Sequence, residues 1–277
     1  MSDFNRNIAG FSGAMSQAET AAIDAGLRAY MLRVYNYMVI GLAITGAAAL
    51  GIYLLSVTDT IANASYVVRA GRVIPATADF VVQSRDVLLT NIGYVMFVSP
   101  LKWAIIFAPL ALILALSFGV ERMRPATAQA LFWLYAALVG LSLGSIFMVY
   151  THTSITRVFF ITAASFGALS LWGYTTRRDL SGMGSFMIMG LFGIIVASLV
   201  NVFLASTPLQ WIISVLGVVI FSGLTAWDTQ RLKSEYLYGA MDGEVAERSA
   251  IMGALSLYLD FINLFTLLLQ LLGQRDE

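Results

Sequence analysis

The chain has 277 residues, of which 59% are hydrophobic and 12% are charged, and its mean hydropathy is +0.81. An ordinary soluble domain is about 25% charged, so this composition predicts an integral membrane protein. The 16 basic and 16 acidic residues cancel, which indicates no nucleic-acid partner. Because there is no cysteine and only one histidine, disulfide frameworks, cysteine zinc sites and thiol catalysis are excluded.

Residues 1–28 are predicted to form a polar cytoplasmic segment ahead of a membrane domain that covers 29–273. The segment carries both Asp3 and Arg6, whereas a secretory signal peptide begins with basic residues that lead straight into a short apolar core. We therefore expect no cleaved signal peptide.

The rest of the chain contains several long apolar windows, which are stretches without ionisable residues. A helix needs roughly 20 apolar residues to cross the hydrocarbon, so the window from Leu180 to Trp227 must hold two spans, with a break near Pro208. Because backbone hydrogen bonds must be satisfied inside lipid, every span is predicted to be a helix. The seven predicted spans cover approximately 34–56, 103–120, 126–150, 157–176, 184–205, 209–231 and 250–272.

Basic residues predict the orientation of these spans. Ten Lys and Arg residues fall on the side of the N-terminus and six on the other side, and the richer side faces the cytoplasm. The N-terminus is therefore expected in the cytoplasm and the C-terminus outside.

The outward loop, 59–102, contains "YVVRAGRVI", which predicts two short extended pieces around an Ala-Gly turn. Its second half, "VLLTNIGYVMFVSPL", is short for a crossing and is expected at the membrane interface or against the bundle.

Two carboxylates fall inside predicted spans, with Asp228 near the inner end of the sixth and Asp260 within the seventh. An ionised Asp at a helix centre costs about 2.5 to 3.5 kcal/mol on insertion scales, so each needs a partner, water or a proton. For Asp228 an ordinary alternative is a pair with Arg231, three residues on, at the headgroup level.

The sixth and seventh spans are joined by a short connection, so Asp228 and Asp260 can meet if the helices tilt. Two carboxylates in a low dielectric cannot comfortably both ionise, and one proton shared between them would make a pH sensor. Without that proton, the pair offers the oxygen ligands that calcium prefers.

Two stretches, "GLTAWDTQ" (Gly223–Gln230) and "LYLDFINLF" (Leu257–Phe265), resemble motifs of the Bax inhibitor-1-like family, also called the transmembrane Bax inhibitor motif family. The chain resembles a bacterial member of that family. The resemblance implies an all-α integral membrane fold of seven helices in which the seventh is surrounded by the other six. It also implies a pH-sensitive calcium leak with Asp228 and Asp260 as its paired sensor carboxylates.

By the same resemblance, an arginine at the cytoplasmic end of the second span can bind the sixth-span aspartate and hold the pore shut. In "FGVERMRPA" this position is Arg122, with Arg124 a near competitor. The ordinary alternative for Arg122 is an anchor that follows the positive-inside rule. Some family members carry an acidic residue in the second span, whereas this chain has none there, so an ion path through such a carboxylate is not expected.

Other polar residues are expected to be structural. Asn201 and Asn263 could line a path, yet amides commonly bridge helices. His152, alone in "YTHTSITR", is expected to be a solvated loop histidine, because one imidazole makes no metal site.

Three classes of function compete for these residues. The leading hypothesis is a pH-sensitive calcium leak channel in a bacterial inner membrane, whose partners are lipid, calcium and protons and which needs no cofactor. The alternative is a non-conducting membrane regulator that binds a stress, proteolysis or survival protein. An enzyme is not expected: intramembrane aspartyl proteases carry Gly-x-Gly-Asp, whereas Asp260 follows "LYL". A retinal receptor is excluded, since the only lysines are Lys102 and Lys233, both outside the seventh span.

Overall fold

The structure is a computed structural model that describes residues 17–69, 72–77, 86–238 and 243–275. Seven of its helices are long and apolar enough to cross a membrane, which confirms the predicted all-α membrane class and the number of spans. They lie at Ile23–Ser56, Leu101–Gly119, Pro125–Val149, His152–Thr175, Ser181–Leu204, Thr207–Leu237 and Gly243–Leu272. Most of the predicted polar N-terminal segment lies outside the described residues.

Several helices extend beyond the hydrophobic stretches that predicted them. The helix of the first span is Gln17–Ser56, and that of the sixth is Thr207–Tyr238. Polar residues continue a helix past the hydrocarbon at little cost, because its backbone hydrogen bonds are already satisfied internally. The remaining helices are Asn91–Phe97, Leu101–Gly119, Pro125–Leu143, Ile146–Val149, His152–Thr175, Ser181–Leu204 and Gly243–Leu272, with 3-10 turns at Ile61–Asn63 and Val120–Arg122.

The loop between the first and second spans folds as a small sheet with a short helix. Strands β1 (Tyr66–Arg69) and β2 (Arg72–Pro75) pair antiparallel, with Tyr66 opposite Pro75, and these are the two predicted extended pieces. The Ala-Gly turn between them lies outside the described residues. Strand β3 (Val87–Leu89) pairs with the other edge of β1.

The apolar second half of this loop does not cross the membrane. After β3 it forms the seven-residue helix Asn91–Phe97, which packs against the first and second spans. Thr90 caps this helix by accepting a hydrogen bond from the Gly93 amide at 3.2 Å. The segment therefore belongs to the loop, as its length predicted.

The seventh span contributes many residues to the buried core. Its helix packs on the first, third, fourth and sixth spans, and its fully buried members include Leu257, Tyr258 and Leu264. That all six other spans surround it stays a prediction. The second and fifth spans lie nearer the outside, since few of their residues are buried in the protein.

Glycines let particular helices approach closely. A Cβ built at Gly173 in the fourth span would collide with the Ala226 carbonyl oxygen of the sixth span. One at Gly140 in the third span would meet the Thr45 carbonyl oxygen of the first span at 2.5 Å. Small residues allow such backbone contact between membrane helices, so these two glycines set the spacing of two helix pairs.

One end of the bundle is rich in basic residues. At this end, side chains of the sixth helix form hydrogen bonds with the loop that joins the fourth and fifth spans. We call this end of the bundle the basic end; its described basic residues are Arg28, Arg33, Arg122, Arg124, Arg177, Arg178, Arg231, Lys233 and Arg248. Gln230 accepts a hydrogen bond from the Leu180 amide and donates one to the Arg178 carbonyl, both at 2.8 Å. In the same loop, hydrogen bonds from Ser181 lower the pKa of Asp179 below its ordinary value. A negative charge just before the fifth helix suits the positive end of its dipole.

Candidate functional site

Asp228 and Asp260 lie on neighbouring helices, the sixth and the seventh, and both are buried. Asp228 is 7% exposed and Asp260 is 4% exposed. Asp228 is ten residues before the end of its helix at Tyr238, which is about 15 Å at ~1.5 Å per residue. The sixth span was predicted to end at 231, three residues after Asp228, whereas the helix continues to Tyr238. Asp228 therefore lies further from the end of its helix than predicted.

The two helices touch closely on both sides of this pair. On the side towards the basic end, Gly253 of the seventh helix receives the Leu232 side chain of the sixth. On the other side, Gly217 of the sixth helix receives the Leu267 side chain of the seventh. Leu232 follows Asp228 by four residues and Leu267 follows Asp260 by seven, spacings that place each leucine on the same helix face as its aspartate. These packing contacts bring the aspartates to the interface between the helices.

The carboxyl groups of Asp228 and Asp260 lie within hydrogen-bonding reach of each other. One oxygen of each, Oδ1 of Asp228 and Oδ2 of Asp260, is buried without a hydrogen-bond partner in the described part of the chain. A buried polar atom without a hydrogen bond costs free energy, so each of these oxygens favours a proton, water or cation beside it.

Arg231 is the cation nearest to this pair in the described structure. Its Nη1 lies 3.4 Å from Asp228 Oδ1, the ion pair that the spacing of three residues predicted as an ordinary alternative. Its guanidinium also lies 5.1 Å from the Trp227 ring and donates to Ser256 Oγ at 3.4 Å. Because the Arg231 side chain is 43% exposed, its attraction to Asp228 is weakened by the surrounding solvent or headgroups.

Arg122 lies in the 3-10 turn Val120–Arg122 at the end of the second span, and its side chain is exposed. The ion pair of Asp228 among the described residues is with Arg231 and not with Arg122. The helix of the second span, which ends next to Arg122, packs chiefly on the third span. The roles predicted for Arg122 and for its competitor Arg124 stay predictions.

Two buried hydroxyl networks near the pair escaped the sequence analysis. Tyr258, two residues before Asp260, shares a hydrogen bond of 2.6 Å with Thr45 of the first span. The second network joins three spans: Ser170 of the fourth contacts Thr229 of the sixth at 2.8 Å and Tyr35 of the first at 2.5 Å. The only sequence signal was the presence of hydroxyl side chains inside apolar spans, which does not specify partners.

The other polar residues singled out in the sequence, Asn201, Asn263 and His152, make contacts that support the fold. Asn201 donates to Gln210 at 3.1 Å and accepts from the Ser206 amide at 3.0 Å, so it joins the end of the fifth helix to the start of the sixth. Asn263 donates to the Leu259 carbonyl within its own helix. His152 is exposed, but it is the first residue of the fourth helix rather than part of a loop, and its ring packs on that of Tyr53.

No group of three or more His, Asp or Glu side chains that could hold a metal ion exists within the described ranges. Asp228 and Asp260 therefore offer at most the two carboxylates that the sequence predicted for calcium. A resident calcium ion takes six to eight oxygen ligands, so the pair fits transient contact with a hydrated ion better than a permanent site.

Fold and site together define a class, namely a multi-pass membrane protein of seven helical spans with a buried carboxyl pair between the last two. The sequence model of a family described as inhibitor of apoptosis-promoting Bax1 matches residues 27–277. The chain belongs to this family, the Bax inhibitor-1 family.

Bacterial relatives cover nearly the whole chain. The protein RP147 of Rickettsia prowazekii is 44% identical over 260 residues, which are 94% of this chain and 95% of the relative. A protein of Caulobacter vibrioides is 42% identical over 277 residues and covers both chains completely. Inner membrane protein YbhL of Escherichia coli is 41% identical over 253 residues, 91% of this chain and 94% of its own.

Proposed function

We propose that this protein is a pH-sensitive cation leak, with calcium as the permeant ion, gated by Asp228 and Asp260. The observation that carries the proposal is the contact between two buried carboxyl groups, each with one oxygen that has no hydrogen-bond partner among the described residues. Ionised carboxylates only accept hydrogen bonds, so the contact is a hydrogen bond only while one group holds a proton. Loss of that proton leaves two adjacent negative charges, which repel each other and attract a cation.

Calcium suits this site as a passing ion. It binds carboxylate oxygens and tolerates irregular geometry, keeping water for its remaining ligands. Because the pair supplies two carboxylates and no third acidic or histidine ligand in the described residues, an ion would be attracted without being held tightly. A leak needs such weak binding, since an ion that enters must also leave.

Arginine competes with the permeant cation for Asp228. In this structure Arg231 supplies part of the compensating charge. A second state, in which Arg122 binds Asp228 and closes the pore, is what the family resemblance implies. Protonation of the pair weakens either ion pair, so pH shifts the balance between the two states.

The membrane location and orientation complete the proposal. The relative YbhL is named as an inner membrane protein, which supports a bacterial inner membrane for this chain. We place the basic end and the N-terminus in the cytoplasm, following the distribution of Lys and Arg. We assign the carboxyl pair to gating and not to catalysis.

The test is calcium flux into proteoliposomes that contain only the purified protein, measured at several pH values. Wild-type flux should depend on pH. In Asp228→Asn and in Asp260→Asn the ratio of fluxes at acidic and alkaline pH should fall to about one, because an amide carries no charge that could repel the remaining carboxylate. Asp59→Asn, which changes an exposed aspartate in the loop after the first span, is the matched control and should behave as wild type.

Two results would overturn this mechanism. One is a pH response that survives in both asparagine variants. The other is the absence of flux from correctly folded pure protein, which would favour the alternative function of a membrane regulator that acts through a partner protein.

A further inference from the structure

A long groove separates the first and fourth spans, and neither Asp228 nor Asp260 lines it. Its volume is about 1100 Å³, and its floor includes Phe261 of the seventh span. Small residues form much of its walls, among them Ala43 and Gly46 on the first span and Ala163 and Gly167 on the fourth.

The space in this groove is not filled by protein. A Cβ added at Gly46 or at Gly167 would meet no atom within 4 Å, in contrast to Gly173 on the same fourth helix, which presses on the sixth span. Eighteen residues separate Arg28 from Gly46, both of which line the groove. At ~1.5 Å per residue this is about 27 Å, close to the ~30 Å thickness of the hydrocarbon.

The groove is polar at one end and along part of its wall. Arg28 and Tyr174 line it at the basic end, and Lys233 lies beside Tyr174, with its Nζ 5.2 Å from the ring and donating to the carbonyl oxygen at 2.9 Å. Arg28 is exposed and has no ion pair among the described side chains. The hydroxyls of Tyr35 and Ser170 lie further in and bond to each other.

We propose that this groove binds one anionic phospholipid, with its phosphate at Arg28 and an acyl chain along the apolar walls. Lipid acyl chains surround a membrane span and can enter a groove along it. Water is unfavourable against apolar walls, so acyl chains are the expected occupant. The cationic end selects a negative headgroup, because a basic residue near the surface attracts anionic lipid. Tyr174 at this end fits a headgroup site, because tyrosine is enriched at membrane interfaces.

Native mass spectrometry of the full-length protein tests this proposal. The probes are phosphatidylglycerol and phosphatidylcholine with identical acyl chains, offered together at equal concentration. The wild-type protein should bind one phosphatidylglycerol with a preference of about fivefold, the size of one basic residue's attraction to an anionic lipid.

Variants separate the groove from general adhesion of lipid. Gly167→Leu fills the groove and should remove most binding of both lipids, whereas Gly193→Leu, at another exposed glycine with open space around its Cβ, should bind as wild type. Gly46→Leu fills the groove from the opposite wall and should repeat the loss, so the conclusion does not depend on one variant folding.

The charge is tested separately. Arg28→Gln should bind both lipids equally, while Arg33→Gln, an exposed arginine on the same helix that does not line the groove, should keep the preference. The proposal is overturned if wild-type protein binds the two lipids equally, or if the leucine variants in the groove match Gly193→Leu. It is also overturned if those variants convert a dimer to a monomer, since a second copy would then be the occupant.

Discussion

Asp228 and Asp260 are buried carboxyl groups on neighbouring helices, and their proposed role follows from the cost of placing ionisable groups there. Asp228 has Arg231 at 3.4 Å, but Asp260 has no such ion pair among the described residues. Each carboxyl group keeps one buried oxygen without a hydrogen-bond partner in the part of the chain that the structure describes. A shared proton is the simplest way for the two groups to coexist in a low dielectric, and that requirement links their contact to pH.

The identity of the closing arginine is testable at the level of single residues. If Arg122 closes the pore, Arg122→Gln should raise calcium flux near neutral pH by roughly fivefold or more, the lower range of a typical coupling between two states. Arg124→Gln, two residues further along at the start of the third span, should leave flux unchanged. The measurement is the proteoliposome flux assay on the matched variants.

Equal fluxes in the two variants would remove Arg122 from the gate. A rise seen only in Arg231→Gln would instead make the ion pair of this structure the closing contact.

Sequence reasoning found Asp228 and Asp260 because a carboxylate inside an apolar span stands out by its cost alone. It also found Arg231, from a spacing of three residues on one helix. The bond between Tyr258 and Thr45 was beyond it, because the two residues are 213 positions apart and hydroxyls inside a helix can also bond to their own backbone. Local spacing predicts contacts within a helix, whereas contacts between helices depend on packing.

At the scale of elements, close helix contacts position the site. The fourth and sixth spans touch at Gly173 and Ala226, where backbone meets the position of a missing side chain. Ala226 is two residues before Asp228. The register of the sixth helix, and with it the position of the carboxyl group, therefore depends on this contact.

Gly173→Ala should destabilise the protein by roughly 1–3 kcal/mol, the usual cost of overpacking, because the rigid carbonyl of Ala226 cannot rotate away as a side chain could. It should also alter the pH dependence of flux, since the sixth helix must shift. Gly167→Ala, on the same helix but with open space around its Cβ, is the control. Thermal unfolding in detergent and the flux assay give the two readouts.

Equal unfolding temperatures for Gly173→Ala and Gly167→Ala would show that the fourth and sixth spans separate without cost. The close contact would then have no part in holding the site.

The number and class of the spans could be predicted because hydrocarbon thickness fixes the length of an apolar window. Their ends could not, because a stretch with charged and polar residues, Thr229–Tyr238, continues the sixth helix after the apolar window stops. The groove between the first and fourth spans was also invisible in the sequence. Gly167 and Gly173 are both glycines on the fourth helix, yet Gly167 faces open space whereas Gly173 faces the Ala226 carbonyl.

At the scale of the whole molecule, the distribution of charge predicts how the bundle sits in the membrane. The chain contains no cysteine, so single cysteines can report the orientation without background. In spheroplasts, a membrane-impermeant maleimide should label Asn63→Cys in the loop after the first span. It should label Glu244→Cys, at the start of the seventh helix, only after the membrane is permeabilised. The reverse pattern would place the basic end outside.

The central claim is that Asp228 and Asp260 act as one titrating unit that controls a calcium leak. The most direct measurement is the pH dependence of calcium flux in a cycle of wild type, Asp228→Asn, Asp260→Asn and the double variant. If the pair shares one proton, each single variant abolishes the response and the double variant adds nothing, since residues that act as a unit are not additive. Single variants that each keep part of the response, with effects that add in the double variant, would contradict the account.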